Sequence, residues 1–311
     1  MPVGLAASAA SRLEGTLSAR HLSVLCVGGA VLPWSTSFVA TKLALADIPP
    51  LTVAALRSVL AAALLVAIAS ATGRLARPSP AEGLLGITGY FALENLGVRF
   101  ATAADAALLV AAYPAITLLL EAVVYRTTVS WTRLSGAGVA MLGVALIVYG
   151  GFDGAGGRAR LLGDLLLLAS GVVWAFYNFV TRGSMRTSPA VTVTCYQTVA
   201  GAVALLPLAW LERDRWQAPA GGSLLAVAYL GVFCSVLAFL LYARGLGGLD
   251  AGTAVGLMNL VPVFGLILAS LVLAEPVGMI QVVGGLTVIA GISMGVRRSA
   301  RAAGGGARGR E

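Results

Sequence analysis

Long apolar runs, interrupted at short intervals by Pro, Gly or charged residues, make up most of this chain. Ten runs can be marked out, at about 22–45, 50–72, 82–99, 103–124, 133–151, 161–182, 190–211, 222–244, 248–273 and 277–296. Each approaches the roughly 20 residues needed to cross about 30 Å of hydrocarbon. Their length and Ala/Leu/Gly content exclude strands and predict helices. Connectors such as "DIPP" at 47–50 and "GGFDGAGG" at 150–157 are short, and no stretch between runs has room for a soluble domain. The predicted fold is therefore an all-α polytopic membrane protein with ten transmembrane helices. Residues 1–21 read as a cytoplasmic tail, and the basic, Gly-rich 297–311 has a disordered composition.

Polar positions inside the runs carry the candidate chemistry. In "WSTSFVATK", Trp34, Ser37, Phe38 and Thr41 fall at i, i+3, i+4 and i+7, one helical face. In "WAFYNFVTR", Trp174, Tyr177, Asn178 and Thr181 repeat that spacing. Two such stripes would suit an amphipathic organic solute. Helix–helix packing through hydroxyl groups is the other reading, and the pattern leaves both open. A charge at the bilayer centre costs about 2.5–3.5 kcal/mol, so Arg57, Glu94, Glu121 and Arg244 need partners or water. Glu94, about two-thirds through the third run, is the first candidate for proton coupling; pairing with Arg57 or Arg99 is its alternative. Glu121, near the inner end of its run, is the second, with pairing to Arg126 as its alternative. Tyr113 and Asn259 stand beside Pro114 and Pro262, where a missing amide permits a kink, and complete the candidate substrate contacts. Asp164 reads as a first-turn carboxylate favoured by the helix dipole.

The chain also repeats itself. At an offset of 140 residues, Trp34 meets Trp174, Thr41 meets Thr181, Lys42 meets Arg182, Pro49 meets Pro189 and Thr52 meets Thr192. At an offset of 148, Pro114 meets Pro262, Gly136 meets Gly284 and Gly143 meets Gly291. Five runs per half is an odd number, so the second half must enter the membrane from the opposite side. That is an inverted-topology repeat, common in secondary transporters; a merely symmetric scaffold is the alternative. Arg57, Pro114, Pro262 and the glycines Gly136, Gly143, Gly284 and Gly291 are the structural landmarks of the two halves. The Gly291–Gly295 GxxxG is also a candidate homodimer face.

Composition sharpens this picture. The chain is 59% hydrophobic and 11% charged, with a mean hydropathy of +0.92, against about 25% charged in soluble domains. The net charge of +8 is almost all arginine, placed at the ends of apolar runs. That is a topology signal rather than a nucleic-acid patch. With the N-terminus inside, most arginines fall on inner loops and tails, while Lys42, Arg99, Arg158, Arg160, Arg213 and Arg215 fall outside. Both termini are expected to be cytoplasmic. Cys26, Cys195 and Cys234 have no metal or disulfide spacing. No metal, cofactor or nucleotide motif is present.

Residues quoted above carry a resemblance. "PWSTSFVATKLAL", "IPPLTVAALRSVLAAALL", "FALENLGVRFATAADAALLVAAYP" at 91–114, "LGGLDAGTAVGLMNLVP" at 246–262 and "LAEPVGMIQVVGGLTVIAGI" at 273–292 are similar to the EamA-type repeat of the drug/metabolite transporter superfamily. The resemblance covers about 22–296 and implies two EamA-like repeats, 22–151 and 161–296. It departs from the family pattern at Thr127 against Glu275, at Gln197 opposite Arg57, and at Glu94 where relatives often carry a neutral amide. It implies a secondary transporter in the cytoplasmic (inner) membrane, exporting a small metabolite or drug by alternating access, with proton exchange as its coupling. Its partners would be the solute and the lipid bilayer, not nucleic acid. A passive channel remains a rival. So does an intramembrane enzyme, though HExxH is absent, and "LASG" at 168–171 has no histidine partner because His21 precedes the first run.

Overall fold

The computed structural model describes residues 3–71, 80–126, 128–152, 157–246, 248–249 and 251–305; side chains 1–19, 80, 152, 182–183, 185–187, 190, 246, 251–252, 255 and 296–305 are outside the description. Thr127, the side chains of Arg182 and Arg186, and the tail side chains therefore lie outside the described residues. The helices are α1 (Val3–Ala44), α2 (Pro50–Ala71), α3 (Pro80–Gly83), α4 (Tyr90–Phe100), α5 (Ala103–Val110), α6 (Tyr113–Val124), α7 (Trp131–Phe152) and α8 (Gly157–Thr187). They continue with α9 (Ala190–Trp210), α10 (Gly221–Tyr229), α11 (Ala238–Leu246), α12 (Ala251–Met258), α13 (Leu260–Leu273) and α14 (Met279–Gly305). Two π-helical segments, Leu84–Gly89 and Leu230–Leu237, join α3 to α4 and α10 to α11. Among the described residues no strand occurs.

Among the described residues, seven helical stretches are long and apolar enough to cross a membrane, and the bent α5–α6 pair would make an eighth. The third apolar run, which follows α3, the π segment and α4 and carries Glu82, Glu94 and Arg99, is not among them. Large apolar side chains such as Leu25, Val123, Leu142, Leu225 and Leu271 are exposed. In water that surface would aggregate, whereas lipid tails are as apolar as leucine. The chain is a multi-pass all-α membrane protein.

Breaks occur beside Pro114 and Pro262, but not as mid-helix kinks, whereas Pro33 and Pro207 lie inside continuous helices. α5 and α6 meet at Ala111–Ala112 with a bend of 44°, and Pro114 is in the first turn of α6. Pro262 is likewise in the first turn of α13, after the break at Asn259. First-turn amides have no intrahelical acceptor, so proline loses nothing there.

Glycine lets α7 and α14 touch backbone to backbone. A Cβ on Gly136 would lie 2.6 Å from Gly291 O, and one on Gly143 would lie 2.5 Å from Gly284 O. A Cβ on Gly136 would also meet Gly295 N at 3.0 Å. The GxxxG therefore packs within one chain.

Polar contacts fasten elements far apart in sequence. Thr102 and Asp105 form a capping box at the start of α5. The Glu275 carboxylate accepts from Ala103 N and Ala104 N, both at 3.0 Å, satisfying two amides that α5 itself leaves open. Arg160 of α8 donates twice to Asp105, at 2.6 and 2.8 Å, and Gln281 of α14 donates to it at 2.6 Å. Asp164 is not a first-turn residue, because α8 begins two turns earlier, at Gly157. It is fully buried beside this cluster. Thr52 and Glu212 bond at 2.8 and 2.9 Å, and Asp47 accepts from Ser223 and from Ala220 N.

Candidate functional site

A cavity of about 280 Å³ opens among α1, α2, α4, the α5–α6 break, α8, the Leu230–Leu237 segment, α11, α12 and α13. Its volume is near the lower end of the range of about 300–1,000 Å³ for drug-sized ligands. Six of the nine sequence-predicted substrate contacts line it: Trp34, Ser37, Glu94, Tyr113, Trp174 and Asn259. Pro114 and Pro262, expected as structural landmarks, line it too, as does Arg57.

Aromatic rings form much of the wall, and their polar tips are mostly tied to the scaffold. Trp34 donates from Nε1 to Cys234 O at 3.1 Å, and its ring meets Phe239 and Tyr242 edge-on at 5.3 and 5.2 Å. The Tyr113 hydroxyl donates to Leu167 O at 2.9 Å and bonds Ser170. Trp174 lies 5.2 Å from Tyr90. Ser37 donates back to Trp34 O at 2.7 Å, the local bond expected of a helical serine. Asn259 donates to Ser293 Oγ at 3.4 Å. These contacts fix ring positions and leave ring faces and edges toward the space.

Two buried charges share the cavity, and their polar atoms are only partly satisfied. Arg57, 3% exposed, donates from Nε and Nη2 to Ser235 Oγ at 3.3 and 3.1 Å. Its Cζ lies 4.2 Å from the centre of the Phe91 ring, a cation–π contact. Its Nη1 has no hydrogen-bond partner among the described residues. Glu94, also 3% exposed, follows Tyr90 by one turn on α4, and its Oε2 has no hydrogen-bond partner among the described residues. The two charges act on each other electrostatically, yet no direct ion pair joins them among the described residues.

The other expected residues sit elsewhere. Thr41 is fully buried outside the lining, and its hydroxyl has no partner among the described residues. The Tyr177 hydroxyl donates to Gln197 Oε1 at 2.8 Å, and its ring lies where a Cβ on Gly86 would be. Asn178 donates back to Trp174 O at 2.8 Å. Glu121 is half-buried on α6, outside the lining. The second stripe is thus divided: Trp174 reaches the cavity, while Tyr177 and Asn178 bond within the bundle. Gln197, at the position matching Arg57, donates to Glu82 at 2.6 Å and to Thr181 at 3.3 Å.

Tyr90, Phe91, Phe239 and Tyr242 also line the cavity, and sequence reasoning missed them. In a run apolar on every face no periodicity marks an inward ring. Among the described residues no cluster of three His, Cys, Asp or Glu could hold a metal ion.

Known proteins share this sequence and fold. A probable terminal-alkyne amino-acid exporter of Streptantibioticus cattleyicolor is 32% identical over 244 residues, 75% of this chain and 80% of that protein. A probable amino-acid metabolite efflux pump of Salmonella typhimurium is 28% identical over 295 residues, covering 88% and 96% of the two chains. A solved crystal structure matches with a TM-score of 0.64 at 23% identity, over 90% of this chain and 98% of that one. The EamA-like transporter family matches twice, at residues 21–149 and 161–296. With most of its length taken up by those two matches, this chain belongs to the EamA-like transporter family.

Proposed function

We propose that the chain is a secondary transporter that exports a small organic metabolite or drug across the cytoplasmic membrane, with both termini inside. Two five-helix halves in inverted orientation would alternate access to the cavity, ten spans in all. The observation that carries this reading is the cavity itself: side chains from both family matches enclose it, and two charges in it keep unsatisfied atoms. The pairing of elements supports the inverted repeat. α1 packs on α11 and α13, as α8 packs on α4 and α6. The two π segments fall in matching helices, and such segments are frequent at functional sites. The names of the relatives, an amino-acid exporter and an efflux pump, support export.

Glu94 is the proton-exchange residue in this reading, because it is a buried carboxyl on the transport path. Two measurements test the proposal. In proteoliposomes loaded with unlabelled solute, a carrier accumulates labelled solute transiently above equilibrium; a channel only equilibrates it, and that result would overturn alternating access. In Glu94→Gln, an imposed pH gradient no longer accelerates whatever flux remains. Undiminished stimulation by the gradient would remove Glu94 from coupling.

A further inference from the structure

The cavity ends abruptly toward one face. Trp34, Ser37 and Phe38 of α1, Val110 of α5 and Val261 and Pro262 of α13 line it. Beyond them the same helices close on one another. Ala103, Ala104, Ala106 and Ala107 of α5 are at most 1% exposed, and Val39, Ala40 and Thr41 of α1 are buried. A Cβ on Gly265 of α13 would lie 2.7 Å from that of Ala107 and 3.3 Å from Ser35 O. On the opposite side the lining continues through Tyr242 of α11 and Ala254 and Met258 of α12. Under the proposed orientation the outer end is shut and the cavity is set toward the inside.

Glu275 stands at that shut end. It follows α13, which packs on α1, whereas α5 and α6 pack on α8. Its carboxylate accepts from Ala103 N and Ala104 N at 3.0 Å each, so one group of helices grips the first turn of a helix from the other. The open amides and the helix dipole both favour a carboxylate there. Arg99 of α4 adds a tie to the end of α1, donating to Leu45 O at 3.0 Å. Lys42, at the end of α1, interacts electrostatically with Glu275. A carboxylate leaving α5 therefore has a cation on its own side.

The turn that aims Glu275 is common to both halves, and the carboxylate is not. Ala274 holds left-handed backbone at φ 52°, and Arg126, 148 positions earlier, holds it at φ 50°. Such backbone is unfavourable for a residue with a Cβ, yet it occurs at matching places. The next residue is Glu275 in one half and Thr127 in the other, so only the second half follows the turn with an acid.

Resting on the proposed alternating access, we infer that Glu275 is the latch of the outer gate: bonded to the first amides of α5 it holds the outer end shut, and it leaves them when the solute exits.

Double electron–electron resonance on the full chain in lipid nanodiscs tests this, with Cys26, Cys195 and Cys234 replaced by alanine. One pair of spin labels, at Leu43 of α1 and Arg158 of α8, spans the outer end. Another, at Leu22 of α1 and Val123 of α6, spans the inner end; all four positions are exposed. With Glu275 in place, a short outer distance dominates. In Glu275→Ala a longer outer component and a shorter inner one arise together. The closed-to-open ratio falls about tenfold or more, the effect of losing a charge-assisted hydrogen bond. Glu275→Gln, which keeps an acceptor but no charge, moves the ratio the same way by less. A merely structural role would broaden both pairs without exchanging one distance for another.

The latch is overturned if both variants keep the parent's outer distance, or if the parent itself mainly populates the longer one. If Glu275→Ala does not fold, Glu275→Gln and the parent decide. Counterflow on the same preparation separates the two proposals. Counterflow with unmoved outer distances sinks the latch alone. An outer shift in the variants without any counterflow sinks the transport reading alone.

Discussion

The seam between α7 and α14 gives a sharp test, because α7 carries its own control. Gly143 faces α14: a Cβ there would lie 2.5 Å from Gly284 O, 2.6 Å from Val288 N and 2.7 Å from Val288 Cγ2. Gly138, on the exposed side of the same helix, would place a Cβ with nothing within 4 Å. Alanine at either position gains the same helix preference, about 0.5–1 kcal/mol. That gain cancels between the variants and leaves the steric term. Overpacking typically costs about 1–3 kcal/mol. The high end applies here, because two of the three obstructing atoms are backbone and relief means moving a whole helix. Gly138→Ala should therefore be more stable than wild type by about 0.5–1 kcal/mol. Gly143→Ala should be less stable by roughly 1–2 kcal/mol after the helix gain is counted. Reversible unfolding in mixed detergent micelles, followed by tryptophan fluorescence, reads both. Equal stability of the two variants, or a more stable Gly143→Ala, would refute the backbone-contact account of the seam.

Further consequences follow from the polar contacts at the helix ends. Asp105→Asn leaves the buried end of Arg160 without its carboxylate and should cost about 3–5 kcal/mol in the same assay, while Asp214→Asn, on an exposed 3.7 Å contact with Arg213, should cost under about 1 kcal/mol. Asp47 accepts from Ser223 Oγ at 2.6 Å and Ala220 N at 3.0 Å, which holds its carboxyl below the usual range. A depressed folded-state value means that its stabilisation is full above the unfolded value and is lost as pH falls through the folded one. An acid titration of unfolding midpoint should show a limb below the ordinary aspartate range that shrinks in Asp47→Asn. Single cysteines placed at Arg158 and Arg186 should react with a membrane-impermeant maleimide from opposite faces; labelling from one face would refute the ten-span topology.

Helices were legible in the sequence because bilayer-spanning runs need no periodicity, only length: α2, α7, α8 and α9 follow the apolar runs within a few residues, while α1 ends with the first run but begins well before it, at Val3. Polar contacts between distant elements were much less legible. Glu275 and Asp105 stand 170 positions apart, yet Glu275 bonds Ala103 N and Ala104 N at the start of the helix that Asp105 caps. One local signal was there to be read: Thr102 and Asp105 have the spacing of a capping box, which marks a helix start at the head of the fourth run. Nothing local marks the arrival of Arg160 or Gln281 at the same carboxylate. Asp164 was misplaced because a loop rich in glycine looked longer than it is; α8 already starts at Gly157.

The mismatch between Arg57 and Gln197 was visible at the offset of 140 residues, and only its meaning was hidden. Both residues occupy the same place on matching helices, and both are buried. Around Gln197 the chain supplies Tyr177, Glu82 and Thr181, so every polar demand is met from within the bundle. Around Arg57 it supplies one serine hydroxyl, used twice, and a ring. One network is closed and the other leaves Arg57 Nη1 without a partner among the described residues, so the two halves differ there. The same asymmetry explains why the Trp174 stripe turns inward to Gln197 beyond its first residue. In that half only Trp174 of the stripe lines the cavity, and in the other Trp34, Ser37 and Phe38 do while Thr41 does not.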